Sequence, residues 1–182
     1  MKKQNDLLQR ALIALGFCGV FVLSGAKVNA QAPKVDIHTA VITGDMAALR
    51  QHIAAGANLN QKDPMGGSSP LISACVFGRT DMAKMLIAAG ADINFQNNDG
   101  STPLLTAAFF CRPEIVKLLL EKGANKGIRN KYGQNACDAV SAPFANMKPV
   151  YSGIEKLLAP MGLSFDYAYI EKMRPVIAGM LK

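Results

Sequence analysis

The sequence predicts an all-α solenoid of about four helix-turn-helix units in a row, closed by a C-terminal capping helix. Three observations carry this expectation. "GANLN" at Gly56–Asn60, "GADIN" at Gly90–Asn94 and "GANKG" at Gly123–Gly127 recur at intervals of 34 and 33 residues. Before each lies an apolar run of helical character: "LRQHIAA", "MAKMLIAA" and "IVKLLLEK". The segment "GSSPLISA" from Gly67 returns as "GSTPLLTA" from Gly100 and, degraded, as "GQNACDAV" from Gly133. Self-similarity at this period marks units that bury their apolar faces by stacking on one another.

The first thirty residues stand apart from that pattern. "MKK" and Arg10 give a basic start, and the uncharged apolar run "ALIALGFCGVFVLSGA" spans Ala11–Ala26. The run is shorter than the roughly 20 residues a helix needs to cross a bilayer core. "VNA" at Val28–Ala30 then supplies a small-x-small site, so residues 1–30 read as a cleavable secretory signal peptide with cleavage after Ala30. An uncleaved anchor is the alternative. A lipoprotein reading through Cys18 is disfavoured, because bulky Phe17 precedes it. Without Lys2, Lys3, Arg10, Lys27 and Asp6, the net charge falls from +7 to +4, so much of the basic character belongs to the leader. That weakens any nucleic-acid reading, and export weakens it further.

Within residues 31–165 the units run at about 35–62, 63–96, 97–129 and 130–165, with the capping helix at 166–182. Ser69-Pro70 and Thr102-Pro103 begin inner helices, the hydroxyl as cap and the proline in the first turn. Small Ala74, Ala107 and Ala108 let helices of adjacent units approach. Met85, Leu86 and Ile87, then Leu118, Leu119 and Leu120, form the apolar faces of outer helices that end at Gly90 and Gly123. The fourth unit is degenerate: Ala136 and Cys137 stand in place of proline and leucine, and "APFANMKPVYSG" precedes "IEKLLAPMG", so the course of 141–153 is open. In the last segment, Tyr167, Ile170, Met173, Ile177 and Leu181 recur at helical spacing. Pro175 is expected to kink or interrupt that helix. A membrane-surface helix is its alternative reading.

These elements resemble the ankyrin-repeat family: D-x-x-G-x-T-P-L-H-x-A, a short helix, G-x-x-x-(V/I)-x-x-L-L, then G-A-D-(V/I)-N. The resemblance covers roughly Val35–Gly162. The first unit is a truncated cap that keeps His38 at the family's histidine position, where a structural hydrogen bond is its expected role. Cys111 stands where Gly78 stands one unit earlier, a departure expected to strain the tight turn between helices.

Little in the chain points to catalysis. No G-x-S-x-G elbow occurs, His38 and His52 are the only histidines, and the glycines are spread as turn residues instead of forming a phosphate cradle. Asp63 and Asp99 suit Asx turns. Cys75, Cys111 and Cys137 are odd in number and widely spaced, which argues for reduced thiols and against a disulfide framework or a zinc site. The expectation is no enzyme activity, no cofactor and no metal.

The resemblance implies a different role. Ankyrin-repeat proteins usually hold partners on a concave face built from turn tips and inner-helix ends. Transferred residue by residue, that face comprises Pro64, Met65, Ser68, Val76 and Phe77 in the second unit, and Asn98, Asp99, Ser101, Phe109 and Phe110 in the third. The fourth contributes Lys131, Tyr132 and Gln134. Val76-Phe77 and Phe109-Phe110 occupy equivalent places, so they form either an apolar stripe for a partner or a local packing cluster. The stripe is the preferred reading, with Phe77, Phe109 and Phe110 as anchors. Lys122, Lys126, Arg129 and Lys131 form an acidic-partner rim or an ordinary solvated turn.

The expected function is a non-catalytic interaction module exported to the periplasm or secreted, monomeric alone, that binds a protein and neither nucleic acid nor, once processed, membrane. The layout is similar to exported bacterial ankyrin-repeat proteins that act as accessory or protective factors, including helpers of peroxide-detoxifying enzymes and immunity proteins. A secreted effector acting on host proteins, a structural or chaperone-like envelope component and a small hydrolase are the alternatives.

Overall fold

The computed structural model describes residues 33–182, so the expected signal peptide and its expected cleavage site lie outside the described residues. The described chain is helical, with α1 (Ile37–Thr43), α2 (Met46–Ala54), α3 (Pro70–Phe77), α4 (Thr80–Ala88), α5 (Pro103–Phe109), α6 (Pro113–Glu121), α7 (Asp138–Ser141), α8 (Phe144–Leu158) and α9 (Tyr167–Leu181). A 3₁₀ turn, Ala159–Met161, follows α8. No helix among the described residues is long and apolar enough to cross a membrane.

Local chemistry sets the helix starts. The Ser69 and Thr102 hydroxyls accept from the Ile72 and Leu105 N–H groups, with Pro70 and Pro103 in the first turns of α3 and α5. Asp36 caps α1 by accepting from the His38 and Thr39 N–H groups. Each inner helix (α1, α3, α5) packs against the outer helix that follows it (α2, α4, α6) and against the inner helix of the next unit. Alanines at the crossing, Ala74, Ala107 and Ala108, are fully buried. The asparagine closing each of the first two "GANLN"-type segments locks neighbouring units together: Asn60 Oδ1 accepts from the Asp92 N–H and Asn94 Oδ1 from the Asn125 N–H, both at 2.8 Å.

Between inner and outer helices the chain turns through a left-handed residue. Gly44 and Gly78 fill that position in the first two units, and Cys111 fills it in the third with φ 53°. A side chain there costs about 1 kcal/mol, the strain expected at this departure from the repeat. Burial drives the Cys111 thiol pKa upward, which suits a packed side chain better than a nucleophile.

The fourth unit is built differently from the sequence pattern. α9 packs against α6 and α7, where an outer helix would sit, and buries Ile170, Ile177 and Leu181 there. The "IEKLL" segment, expected as that outer helix, lies in α8 and is displaced. Ile115 and Leu119 of α6 are fully buried, whereas their α8 counterparts Ile154 and Leu158 are only half-buried and Leu157 is 72% exposed. The insertion is the cause. It supplies the first turns of a fifteen-residue helix and carries Tyr151, which anchors α8 beside the end of α5.

Pro175 does not interrupt α9, nor does Pro149 interrupt α8. Both prolines lie on exposed faces, as do Glu171 and Ala145 four residues before them. Water can therefore reach the carbonyls that lose their helical partners.

Candidate protein-binding surface

The turns between units form a row of fingers, each wound around one Asx side chain. Asp63 accepts from the N–H groups of Met65, Gly66 and Ser68 at 2.7–2.8 Å. Asn97 Oδ1 accepts from Asp99 and Ser101, and Asn130 Oδ1 from Tyr132 and Gln134. Burial works to raise the Asp63 carboxyl pKa, but the N–H groups of Gly66, Ser68 and Met65 outweigh it and hold the pKa below the usual value.

Successive fingers bond to each other. The Asn98 N–H donates to the Gly66 carbonyl at 3.0 Å, and the Lys131 N–H to the Asp99 carbonyl at 2.8 Å. Close approach explains the glycine at 67, since a Cβ on Gly67 would fall 2.3 Å from Asn98 Oδ1. The row therefore presents its tips as one surface. Pro64, Met65, Asn98, Asp99, Lys131, Tyr132 and Gln134 are exposed, while Ser68 and Ser101 sit half-buried at the finger bases. Met65 and Tyr132 are each 71% exposed, among the most open large apolar side chains of the described residues.

The inner-helix ends behave differently. Val76 and Phe77 are half-buried. Phe109 and Phe110, expected as exposed anchors, are covered by the chain itself, which corrects the preferred reading of the stripe. Phe110 is only 9% exposed and lies 5.9 Å from the Phe165 ring. Phe109 is half-buried and stacks on Tyr151 at 5.0 Å between centroids. Tyr151 also meets Phe165 edge-on at 5.3 Å, with Phe144 beyond it at 6.2 Å.

The pattern of the repeat could not announce these covering residues, because they lie in the insertion and the segment before α9. The available signal was aromatic density. Phe144, Tyr151, Phe165 and Tyr167 fall close together in a chain with only twelve Phe and Tyr residues.

A buried polar chain runs beneath this cluster. The Tyr151 hydroxyl donates to the Phe109 carbonyl at 2.6 Å and accepts from Arg174 Nη1 at 2.9 Å. Arg174 Nη2 donates to the Ala142 carbonyl at 2.8 Å, and its Nε has no partner. Burial pushes the Tyr151 hydroxyl pKa up to about 12.

The remaining polar candidates are structural. His38 is buried, with Nε2 3.0 Å from the Gln61 carbonyl and Nδ1 3.4 Å from Ser73 Oγ. The carbonyl only accepts, so Nε2 carries the proton and Nδ1 accepts from the hydroxyl. In the basic run, Arg129 pairs with Asp138 of α7 at 2.7 Å and Lys126 reaches a main-chain oxygen of Lys182 beyond α9, so two of its four cations are engaged within the chain. Among the described residues no group of three or more His, Cys, Asp or Glu could hold a metal ion.

Comparison with known proteins accords with this architecture. A family model described as "Ankyrin repeats (3 copies)" matches residues 37–130. Inversin of Gallus gallus is 36% identical over 59 residues, which is 32% of this chain and 5% of that protein. Protein phosphatase 1 regulatory subunit 27 of Homo sapiens is 37% identical over 63 residues, 35% of this chain and 40% of that protein. The chain thus spans less than half of either relative. The crystal structure of the ankyrin repeat domain of Bcl-3 superimposes with a TM-score of 0.55 at 27% identity, covering 57% of this chain and 45% of that one.

Proposed function

The chain belongs to the ankyrin-repeat family, a protein–protein interaction scaffold, and from that premise we propose that it captures a protein partner on the finger row of its concave face. The observation that carries this reading is the pair Met65 and Tyr132, open at the two ends of a hydrogen-bonded row with Asn98 and Asp99 between them. Burying one such side chain is worth about 1.5–3 kcal/mol, and aromatic anchors often carry much of an interface's energy. A relative named as a phosphatase regulatory subunit is consistent with action through another protein. The chain performs no chemistry in this reading. Its basic, apolar leader supports export to the periplasm or beyond, and an accessory or protective role there fits a module that works by binding alone.

The test immobilises the protein in an envelope extract of the exporting cell beside the double variant Met65→Ser/Tyr132→Ser. Capture of a defined protein, lost in the variant while thermal unfolding is unchanged, is the expected result. Capture indifferent to both substitutions would remove the finger row as the binding surface. N-terminal sequencing should begin at Gln31, and an intact Met1 in the membrane fraction would overturn the export reading.

A further inference from the structure

We propose that the inner-helix end of the third unit is a second binding slot, specific for a tyrosine-bearing helical segment, and that α8 is its intramolecular occupant, released when a partner's tyrosine takes the place of Tyr151. This rests on the interaction-module reading above.

The slot has walls and polar fittings. Phe109 stacks on the face of the Tyr151 ring at 5.0 Å, and Phe165 meets it edge-on at 5.3 Å. At its end, the hydroxyl of Tyr151 is held between an acceptor, the Phe109 carbonyl, and a donor, Arg174 Nη1. A hydroxyl can satisfy both, whereas phenylalanine would leave each buried group unpaired. The fittings therefore select tyrosine over other aromatics.

The repeat supports this assignment. Phe109 and Phe110 stand in register with Val76 and Phe77, at the inner-helix end where the second unit leaves both side chains half-buried. In the third unit the same place is filled by a segment that the repeat does not contain.

Outside the slot that segment is tied at partly buried positions: Glu155 accepts from the Phe165 N–H at 2.7 Å and from the Tyr167 hydroxyl at 2.5 Å, and Phe144 and Met147 pack against the core. Of the fifteen residues of α8, Tyr151 alone is fully buried. Proline at 149 removes a helical hydrogen bond, glycine at 153 weakens the helix interior, and no side chain caps its start. Val150 is 45% exposed, and Ile154 and Leu158 lack the burial their outer-helix pattern would give them. A helix with one fully buried side chain, its other ties made at partly buried positions, opens at lower free energy than the core beneath it.

Two measurements on the full chain test the proposal without any partner. Native-state hydrogen exchange of the unmodified protein should show α8 amides exchanging at least 100-fold faster than those of α5 and α9. Exchange of α8 only through global unfolding would overturn the release. In the second, a fluorescein-labelled peptide of residues 143–158 is titrated into the unmodified chain and into Phe144→Ala/Tyr151→Ala. The variant should bind at least tenfold more tightly, and a peptide with phenylalanine for its tyrosine should lose that advantage. Equal binding of the two peptides would overturn the tyrosine selectivity. No binding to a variant that retains its helical circular dichroism would overturn the slot. A variant that does not fold leaves the exchange measurement to decide. None of these outcomes bears on Met65 and Tyr132, so failure of the slot and failure of the finger row are separately visible.

Discussion

Arg112 lays its guanidinium against Gly78 and donates through Nη2 to the Val76 carbonyl at 3.0 Å. One unit earlier Arg79 lies against Gly44 and donates to the Ile42 carbonyl at 2.8 Å. Ile42, Val76 and Phe109 are equivalent residues, so each inner helix ends on a carbonyl that needs a donor from outside its own unit. The first two receive an arginine from the next unit. The third receives the Tyr151 hydroxyl, backed by Arg174, because the degenerate fourth unit has no arginine at that place. The plug in the aromatic slot and the arginine ladder are one solution to one recurring hydrogen-bonding problem.

Arg112→Met tests the ladder. It keeps much of the aliphatic volume but leaves the Val76 carbonyl without its charged donor, and hydrogen bonds to charged groups are worth about 1.5–3 kcal/mol. A loss of about 1–3 kcal/mol in urea unfolding is expected. Gly78→Ala should also destabilise, by at least about 1 kcal/mol, because its φ is positive and its Cβ would lie 3.1 Å from Arg112 Nε. Unchanged midpoints in both variants would mean the ladder contributes nothing.

Cys111 offers an inverted ranking. Alanine would keep the left-handed strain and lose the buried sulfur, whereas glycine loses the sulfur but removes the strain. Cys111→Gly should therefore be more stable than Cys111→Ala by about 1 kcal/mol, opposite to the order inside a helix. Calorimetric melting of both variants decides the point, and the usual order would show that the turn carries no strain.

Phe110→Ser should cost about 3 kcal/mol, as expected for an emptied core site, and Phe109→Ser less, because its ring is only half-buried. Near-neutral unfolding of Phe110→Ser would return that ring to the exposed stripe. The experiment bears on what the sequence could and could not show. Caps, turn glycines and the Asx turn of Asp63 were legible because each local pattern recurs and has one physical use, but in the next finger the Asx side chain is Asn97 and not the expected Asp99, which only donates its N–H to it. The contact between Phe109 and Tyr151, 42 residues apart, was not, because a non-repeating insertion made it. The exchange of roles between α8 and α9 was hidden for a similar reason. "IEKLL" has the outer-helix pattern, but α9 buries Ile170, Ile177 and Leu181 against α6 and α7 while Tyr151 holds α8 elsewhere. Local pattern cannot rank two helices that compete for one place.

The Tyr151 network should also appear in the pH dependence of stability. Burial raises the hydroxyl pKa to about 12 in the folded protein, against an ordinary tyrosine value near 10 when unfolded. The group is neutral in both states below pH 10, so its contribution is fully present there. Above pH 10 the unfolded chain gives up the proton first, and stability falls as pH rises towards 12. The difference corresponds to about 2–3 kcal/mol. Other thiols, lysines and tyrosines titrate in the same range, so the informative quantity is the slope of the unmodified protein against that of Tyr151→Phe. The variant starts lower at neutral pH, because it leaves Arg174 Nη1 and the Phe109 carbonyl unpaired, but it should lose less between pH 10 and 12. Converging curves in that window are expected from urea midpoints at each pH. Parallel curves would mean that the hydroxyl is not held between these two groups, and the basis for tyrosine selectivity in the slot would fall with it.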